Sequence, residues 1–123
     1  MTTFTTIEQI EELMGTRSDL YVRWSHGPEA DAQNNWISKN YAGTWDEVRG
    51  DYDYIPVDEI GLSALALDSL NAITRYEGEV HGTVCYVMAA REVDRCSDGD
   101  PLVDSVEPIA IIAPELISTI RNA

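Results

Sequence analysis

The chain has 123 residues, of which 22 are acidic and 8 are basic, so its formal net charge is −14. A surface this negative repels nucleic acid and anionic membranes and attracts basic partners at long range. It also lacks the basic stripe that a direct nucleic-acid binder needs. The length suits a single domain spanning residues 1–123. No basic and apolar leader opens the chain and no apolar run approaches the roughly 20 residues of a membrane helix, which predicts a cytoplasmic protein.

The first element that the sequence predicts is a short amphipathic helix over residues 6–14. Thr5 and Glu8 match a capping box, in which a hydroxyl and a carboxylate satisfy two free backbone amides. Apolar residues then recur at helical spacing, and Gly15 is suited to ending the helix.

A strand and then a long irregular region follow. Leu20–Trp24 alternates apolar and polar residues, as half-buried strands do. Residues 27–61 show no sustained period but hold several aromatic residues among acids and glycines, so we expect an irregular segment with short helical turns near 31–38 and 45–49. Irregular segments of that length are commonly functional.

The second half predicts two helices and two strands. Apolar residues at helical spacing indicate a helix over 62–76, and residues 79–93 indicate a long central strand that is covered on both faces. A second strand over 106–113 should pair with it antiparallel, and Pro114 is suited to beginning a closing helix. We therefore expect a single α+β domain with a small antiparallel sheet of about three or four strands and two or three helices.

Two segments carry a resemblance to a known family. The first is LYVRWSHGPEAD at residues 20–31, and the second, within residues 82–112, contains GDPLV at 99–103 and VEPIA at 106–110. Together they resemble a small actinobacterial family of unknown function, which implies a shared fold and little else. The middle of the chain, residues 42–70, differs from that family and is more acidic, which suggests a member repurposed by a phage or mobile element.

The acids concentrate in two places, residues 46–59 and residues 92–107, which we call the first and second acidic stretches. Each holds six acids against one arginine, a net −5. In the first stretch the acids alternate with aromatic residues, and Trp and Tyr are typical anchors of protein interfaces. The candidate partner-binding residues are Trp45, Asp46, Glu47, Asp51, Tyr52, Asp53, Tyr54, Asp58, Glu59, Asp94, Asp98, Asp100 and Asp104.

Two plainer interpretations stand beside partner binding. Acidic loops keep a protein soluble without any specific partner, and the charge would then be incidental to a general protein-interaction module. Trp45 and Tyr54 would, on the second interpretation, fold into the core as anchors of their loop.

A second candidate site is a pocket near the first strand, lined by Arg23, Ser25, His26 and Glu79, which would belong to a small enzyme or ligand-binding domain. Neither histidine has a Ser or Cys at the spacing of a catalytic triad. The aspartates of the second acidic stretch do not follow the calcium-loop pattern. We therefore predict no catalytic residue, no metal and no cofactor.

These observations favour a non-enzymatic acidic binding protein that engages a basic, nucleic-acid-binding protein. Its most concrete form is a nucleic-acid mimic that inhibits a defence nuclease, as antirestriction and anti-CRISPR proteins do. Duplex DNA carries one negative charge per about 1.7 Å of axis, and clustered carboxylates could take the arginine and lysine positions that otherwise hold phosphate.

Overall fold

A computed structural model describes residues 1–37, 39–58, 61–76, 82–95 and 99–123, with residues 39–44 and 52–58 described as backbone. The protein is α+β, as the sequence predicts, but its main sheet has six strands instead of three or four. The longest helix among the described residues has ten residues, and none of these helices is long and apolar enough to cross a membrane. In chain order the elements are β1 (Thr2–Phe4), α1 (Ile7–Thr16), β2 (Leu20–Ser25), α2 (Pro28–Gln33), β3 (Lys39–Asp46), β4 (Asp51–Asp58), β5 (Leu62–Ser63), β6 (Leu65–Ala66), α3 (Asn71–Thr74), β7 (Val84–Arg95), β8 (Pro101–Ile112) and α4 (Pro114–Arg121).

Helix α1 forms where it is predicted, but both of its ends differ by one or two residues. Its capping box joins Thr6 and Gln9 instead of Thr5 and Glu8: the Gln9 amide donates to the Thr6 hydroxyl, and the Gln9 side chain accepts from the Thr6 backbone. The motif allows both registers, and this one leaves Glu8 free in the positive first turn. Gly15 lies inside the helix, so its prediction as the stop is wrong.

The main sheet has the order β1-β8-β7-β2-β6, with β5 pairing separately with β8. Strands β2, β7 and β8 are antiparallel neighbours, and β1 joins the far side of β8 in parallel. The sequence predicted these three long strands. It missed β1, β5 and β6 because segments of two or three residues are too short to show an alternating pattern.

The core has two parts, one on each face of the sheet, and β7 contributes to both. Cys85 and Val87 pack with the helices α1 and α4, whereas Tyr86 and Met88 pack on the opposite face with Leu62. The prediction of a central strand covered on both faces is thereby confirmed. The strand ends at Arg95, and residues 91–95 are exposed.

The helix predicted over residues 62–76 is wrong except at its end. Leu62 is buried in one part of the core, while Leu65 and Leu67 are buried in the other, so this segment passes from one face of the sheet to the other. Each of these leucines is buried in one or the other part of the core, so their spacing resembles that of a helix although the backbone is not helical. Only Asn71–Thr74 forms a helix.

The irregular segment predicted over residues 27–61 is also wrong, because it contains a two-stranded hairpin, whereas α2 overlaps the helical turn predicted near residues 31–38. Strands β3 and β4 form a ribbon of their own, with eight residues in each strand. At the turn between them, Gly50 adopts a φ of 69° and donates its amide to the Asp46 carbonyl. The strands escaped prediction because Asp, Asn and Gly are depleted in strands and weaken the pattern here.

Candidate partner-binding site

The end of the β3–β4 hairpin, residues 45–51, is built around one carboxylate. Asp46 accepts hydrogen bonds from the backbone amides of Val48 (2.9 Å) and Arg49 (3.2 Å) and from the Arg49 guanidinium (3.2 Å). The backbone bonds from Arg49 and Val48 are the main reason that the pKa of Asp46 lies below its usual range. Asp46 therefore holds the turn in shape, and we call residues 45–51 the hairpin tip.

The hairpin tip exposes two large apolar side chains. Trp45 is 53% exposed and Val48 is 97% exposed, and Glu47 and Asp51 beside them are exposed as well. The interpretation of Trp45 as a core anchor is therefore wrong. The hairpin tip thus exposes both carboxylates that can pair with a basic partner and a tryptophan whose apolar area a partner can bury.

The strand register places the aromatic positions of the first acidic stretch on one face of the hairpin and three of its four acidic strand positions on the other. Trp45 is opposite Tyr52, whereas Asp46 is opposite Asp51 and Thr44 is opposite Asp53. Alternate positions along a strand belong to opposite faces, so positions 45 and 52 share one face and positions 46, 51 and 53 share the other. Tyr54 is two positions after Tyr52 and Asp58 is opposite Lys39, which places both on the same face as Trp45.

The second acidic stretch uses most of its described carboxylates within the protein, while Glu107 is exposed. Asp104 is paired with both ends of the Arg91 guanidinium, at 3.0 and 3.1 Å, and this pairing lowers the pKa of Asp104. Asp94 accepts from the Arg95 amide, and Asp100 accepts from the Tyr76 hydroxyl. These contacts compete with binding to a partner. Asp98 lies outside the described residues, as does Glu59 of the first stretch.

The second predicted site contains a buried polar network centred on Asp31, a residue that the sequence analysis did not single out. The Asp31 carboxylate is paired with the Arg23 guanidinium (2.9 Å) and accepts from the Ser25 hydroxyl (2.8 Å) and the Tyr86 hydroxyl (2.7 Å). Arg23 also donates to the carbonyl and hydroxyl oxygens of Ser63. The network thus joins β2, α2, β5 and β7.

Burial and hydrogen bonding have opposite effects on Asp31. Burial alone would raise the pKa of its carboxyl, but the hydrogen bonds and charge of Arg23, with the hydroxyls of Tyr86 and Ser25, outweigh this and hold the pKa below its usual range. Burial, followed by the bond to Asp31, raises the pKa of Tyr86. The network therefore holds an ionised carboxylate and a neutral phenol.

The buried network differs from a reactive site because a substrate cannot reach it. Asp31 is 5% exposed and Ser25 is 4% exposed, so a substrate cannot reach them without a change in structure. His26 lies on the surface just beyond β2, and Glu79 lies outside the described residues. No local pattern singles out Asp31 in the sequence, because an acid near the start of a helix is usually exposed, whereas the structure buries Asp31.

Comparison with protein-family models, with curated proteins and with solved structures gave no match. The resemblance of residues 20–31 and 82–112 to an actinobacterial family stays a prediction. Within the described part of the chain, no group of three or more His, Cys, Asp or Glu side chains is placed to hold a metal ion.

Proposed function

We propose that this protein is a non-enzymatic acidic binding protein whose hairpin tip engages a basic, nucleic-acid-binding protein. The observation that carries the proposal is the exposure of Trp45 and Val48 beside the exposed carboxylates of Glu47 and Asp51. A tip of this kind combines the two parts of a steered interface, which are an apolar anchor and a charged rim.

The anchor accounts for most of the expected affinity. A tryptophan buries about 150–250 Å² when it enters a pocket, and truncation of such an anchor commonly costs at least about 2 kcal/mol of binding free energy. Because Asp46 fixes the turn through three hydrogen bonds, the tip is ordered before it binds. Ordering beforehand reduces the entropy that association would otherwise cost.

The charge accounts for the choice of partner. The first acidic stretch carries a net −5, and Arg49, its one basic residue, is paired with Asp46. A partner with clustered arginine and lysine would be attracted over a Debye length of about 8 Å at physiological salt. Proteins that bind nucleic acid carry such clusters.

The concrete form that we propose is a nucleic-acid-mimicking inhibitor of a defence nuclease, of the antirestriction or anti-CRISPR type. The exposed carboxylates of the hairpin tip, Glu47 and Asp51, would occupy basic sites that otherwise hold phosphate, while Asp46 holds the turn. Trp45 would supply the apolar contact. Inhibition would then be competitive with nucleic acid.

Affinity capture with three forms of the protein tests this proposal. The wild type, the hairpin variant Trp45→Ala/Glu47→Gln/Asp51→Asn and the control Glu11→Gln/Glu12→Gln are immobilised and exposed to host extract at low and high salt. The control removes two exposed acids from α1, away from the hairpin. Asp46 is left intact in all forms because it holds the turn.

We expect one basic protein to bind the wild type and the control at low salt, and to be released by high salt or by added duplex DNA. The hairpin variant should not retain it. A partner that stays bound to the hairpin variant would contradict the assignment of the tip, and one that stays bound when its nucleic-acid channel is filled would contradict the competitive mechanism.

A further inference from the structure

A pocket of about 700 Å³ lies between α3 and the end of the β7–β8 hairpin, and none of the residues of the buried network around Asp31 lines it. Its volume falls within the range of sites that hold small molecules. Apolar groups of Leu65, Ala66, Ala72 and Pro101 form part of its lining, and charged and polar side chains form the rest.

One wall of the pocket is internally bonded. The Tyr76 hydroxyl donates to Asp100 (2.5 Å), and Arg95 is paired with Glu92 (2.8 Å) and donates to the Gly99 carbonyl (2.7 Å). These bonds fix the wall that β7 and β8 provide, and they neutralise the charge of Glu92 locally.

The opposite wall presents polar groups without such bonds. Asp68 precedes α3, and Asn71 and Arg75 are four residues apart, so they share one face of that helix. The Arg75 guanidinium lies 5.6 Å from the centre of the Tyr76 ring, a contact that orients it. Within the described residues Arg75 has no carboxylate partner, whereas Arg17, Arg23, Arg49, Arg91 and Arg95 each have one.

Tyr21 adds a phenol at the floor of this pocket, where β2 is next to β6. Its side chain is partly buried, and its hydroxyl makes no hydrogen bond to the described residues. Buried tyrosine hydroxyls usually have a hydrogen-bond partner. The phenol is therefore available to a ligand together with Asp68, Asn71 and Arg75.

The charges of the lining decide which class of ligand fits. The lining contains two arginines and three acids, which are Asp68, Glu92 and Asp100. Because the whole chain also carries a net charge of −14, a polyanion is repelled. Glu92 is paired with Arg95, and the Asp100 carboxylate keeps its charge but accepts from Tyr76, so one negative and one positive group of the lining have no bonded partner among the described residues. They are Asp68 and Arg75.

We propose that this pocket binds a small zwitterion of the amino-acid type. Its carboxylate would pair with Arg75, with Asn71 and Tyr21 as further hydrogen-bond donors, and its ammonium group would pair with Asp68. An apolar side chain would lie against Leu65 and Ala66. This site is independent of the hairpin tip and of the function proposed for it.

Titration with defined probes tests the proposal, with amide NMR shifts of Asn71 and Arg75 as the readout. We expect saturable shifts with at least one of L-leucine, L-methionine and L-phenylalanine. The leucine analogues 4-methylpentanoate, which lacks the ammonium group, and 3-methylbutylamine, which lacks the carboxylate, should bind at least about tenfold more weakly, because each leaves one charged group unpaired.

Arg75→Gln and Asp68→Asn should each weaken binding of the zwitterion by a similar factor. Arg17→Gln and Asp19→Asn remove an exposed ion pair elsewhere and should leave binding unchanged. The proposal is overturned if none of the three amino acids gives a saturable shift at about 10 mM, well above a millimolar dissociation constant. It is equally overturned if an analogue with a single charge binds as tightly as leucine, or if Arg75→Gln has no effect.

Discussion

At the scale of single residues, Asp31 has the largest set of buried interactions that the sequence did not reveal. Its carboxylate is bonded to Arg23, Ser25 and Tyr86, and all four side chains are largely or fully buried. The arginine and the serine could be chosen from the first-strand motif, but their partner could not, because an acid at the start of a helix is usually exposed. The structure shows that Arg23 and Ser25 form hydrogen bonds within the protein interior.

The substitution Asp31→Asn should destabilise the protein by about 3 kcal/mol, because removing one partner of a buried ion pair leaves the other charge uncompensated. Urea unfolding measures the loss. Asp19→Asn is the matched control, since it breaks the exposed pair with Arg17 and should cost far less because solvent screens that pair. Equal costs for the two variants would show that the Asp31 network contributes nothing beyond a surface pair.

The stability that Asp31 contributes should depend on pH. Its pKa is lowered from the ordinary value of 3.8, so ionised Asp31 stabilises the folded state above that value, and the contribution is lost as the pH falls through the folded pKa. Neutralisation of other acids relieves repulsion over the same range, so the measurement is the difference between wild type and Asp31→Asn. We expect this difference to be constant above about pH 5 and to shrink towards pH 2. A difference that grows with acid would mean that the pKa is raised instead.

At the scale of elements, the β3–β4 hairpin places on different faces the aromatic and acidic residues that are neighbours in the sequence. Read along the chain, aromatic and acidic residues alternate in the first acidic stretch. The register places Trp45 and Tyr52 on one face and Asp46 and Asp51 on the other. Alternation in the sequence thus becomes two faces of different chemistry in the ribbon. An antiparallel pair also sets Asp46 opposite Asp51, which is unfavourable for like charges, and Arg49 lies beside Asp46 to offset it.

The junction between β2 and β7 depends on Gly82. This residue has a φ of 129°, and a Cβ there would overlap the backbone carbonyl of Ser25. Gly82→Ala should therefore destabilise the protein by more than about 1 kcal/mol. Gly15→Ala is its control, because Gly15 lies inside α1 with no neighbour near its Cβ position and should gain up to about 1 kcal/mol in helix propensity. Thermal unfolding of the two variants distinguishes the cases, and a Gly82→Ala protein as stable as wild type would refute the overlap.

At the scale of the whole molecule, local pattern predicted the parts that follow local rules and missed those set by packing. The helices α1 and α4 and the three long strands carry regular periods, and they were predicted. The spacing of Leu62 and Leu65 resembles that of a helix, although the two side chains are buried on opposite faces of the sheet. A local sequence pattern does not contain this information. In the candidate site, Trp45 is exposed and its role as a contact residue stays a prediction, whereas the internal pairing of Asp104 could not be predicted from the sequence.

The acids that give the net charge of −14 also differ in how they are bonded within the protein. Of the described acids of the second acidic stretch, Glu92, Asp94, Asp100 and Asp104 are bonded to Arg91, Arg95 or Tyr76, and Glu107 is exposed. At the hairpin tip, Glu47 and Asp51 are exposed beside Trp45 and Val48. We therefore propose that the tip is the main site of binding.

The most direct test of that claim is the affinity of the captured partner for the purified protein, measured against salt concentration for the wild type, Trp45→Ala and Glu47→Gln/Asp51→Asn. We predict that Trp45→Ala weakens binding by about 2 kcal/mol, or roughly thirtyfold, with an unchanged dependence on salt. The double charge variant should instead show a shallower dependence on salt. Affinities and salt dependences equal to those of the wild type in both variants would contradict the account.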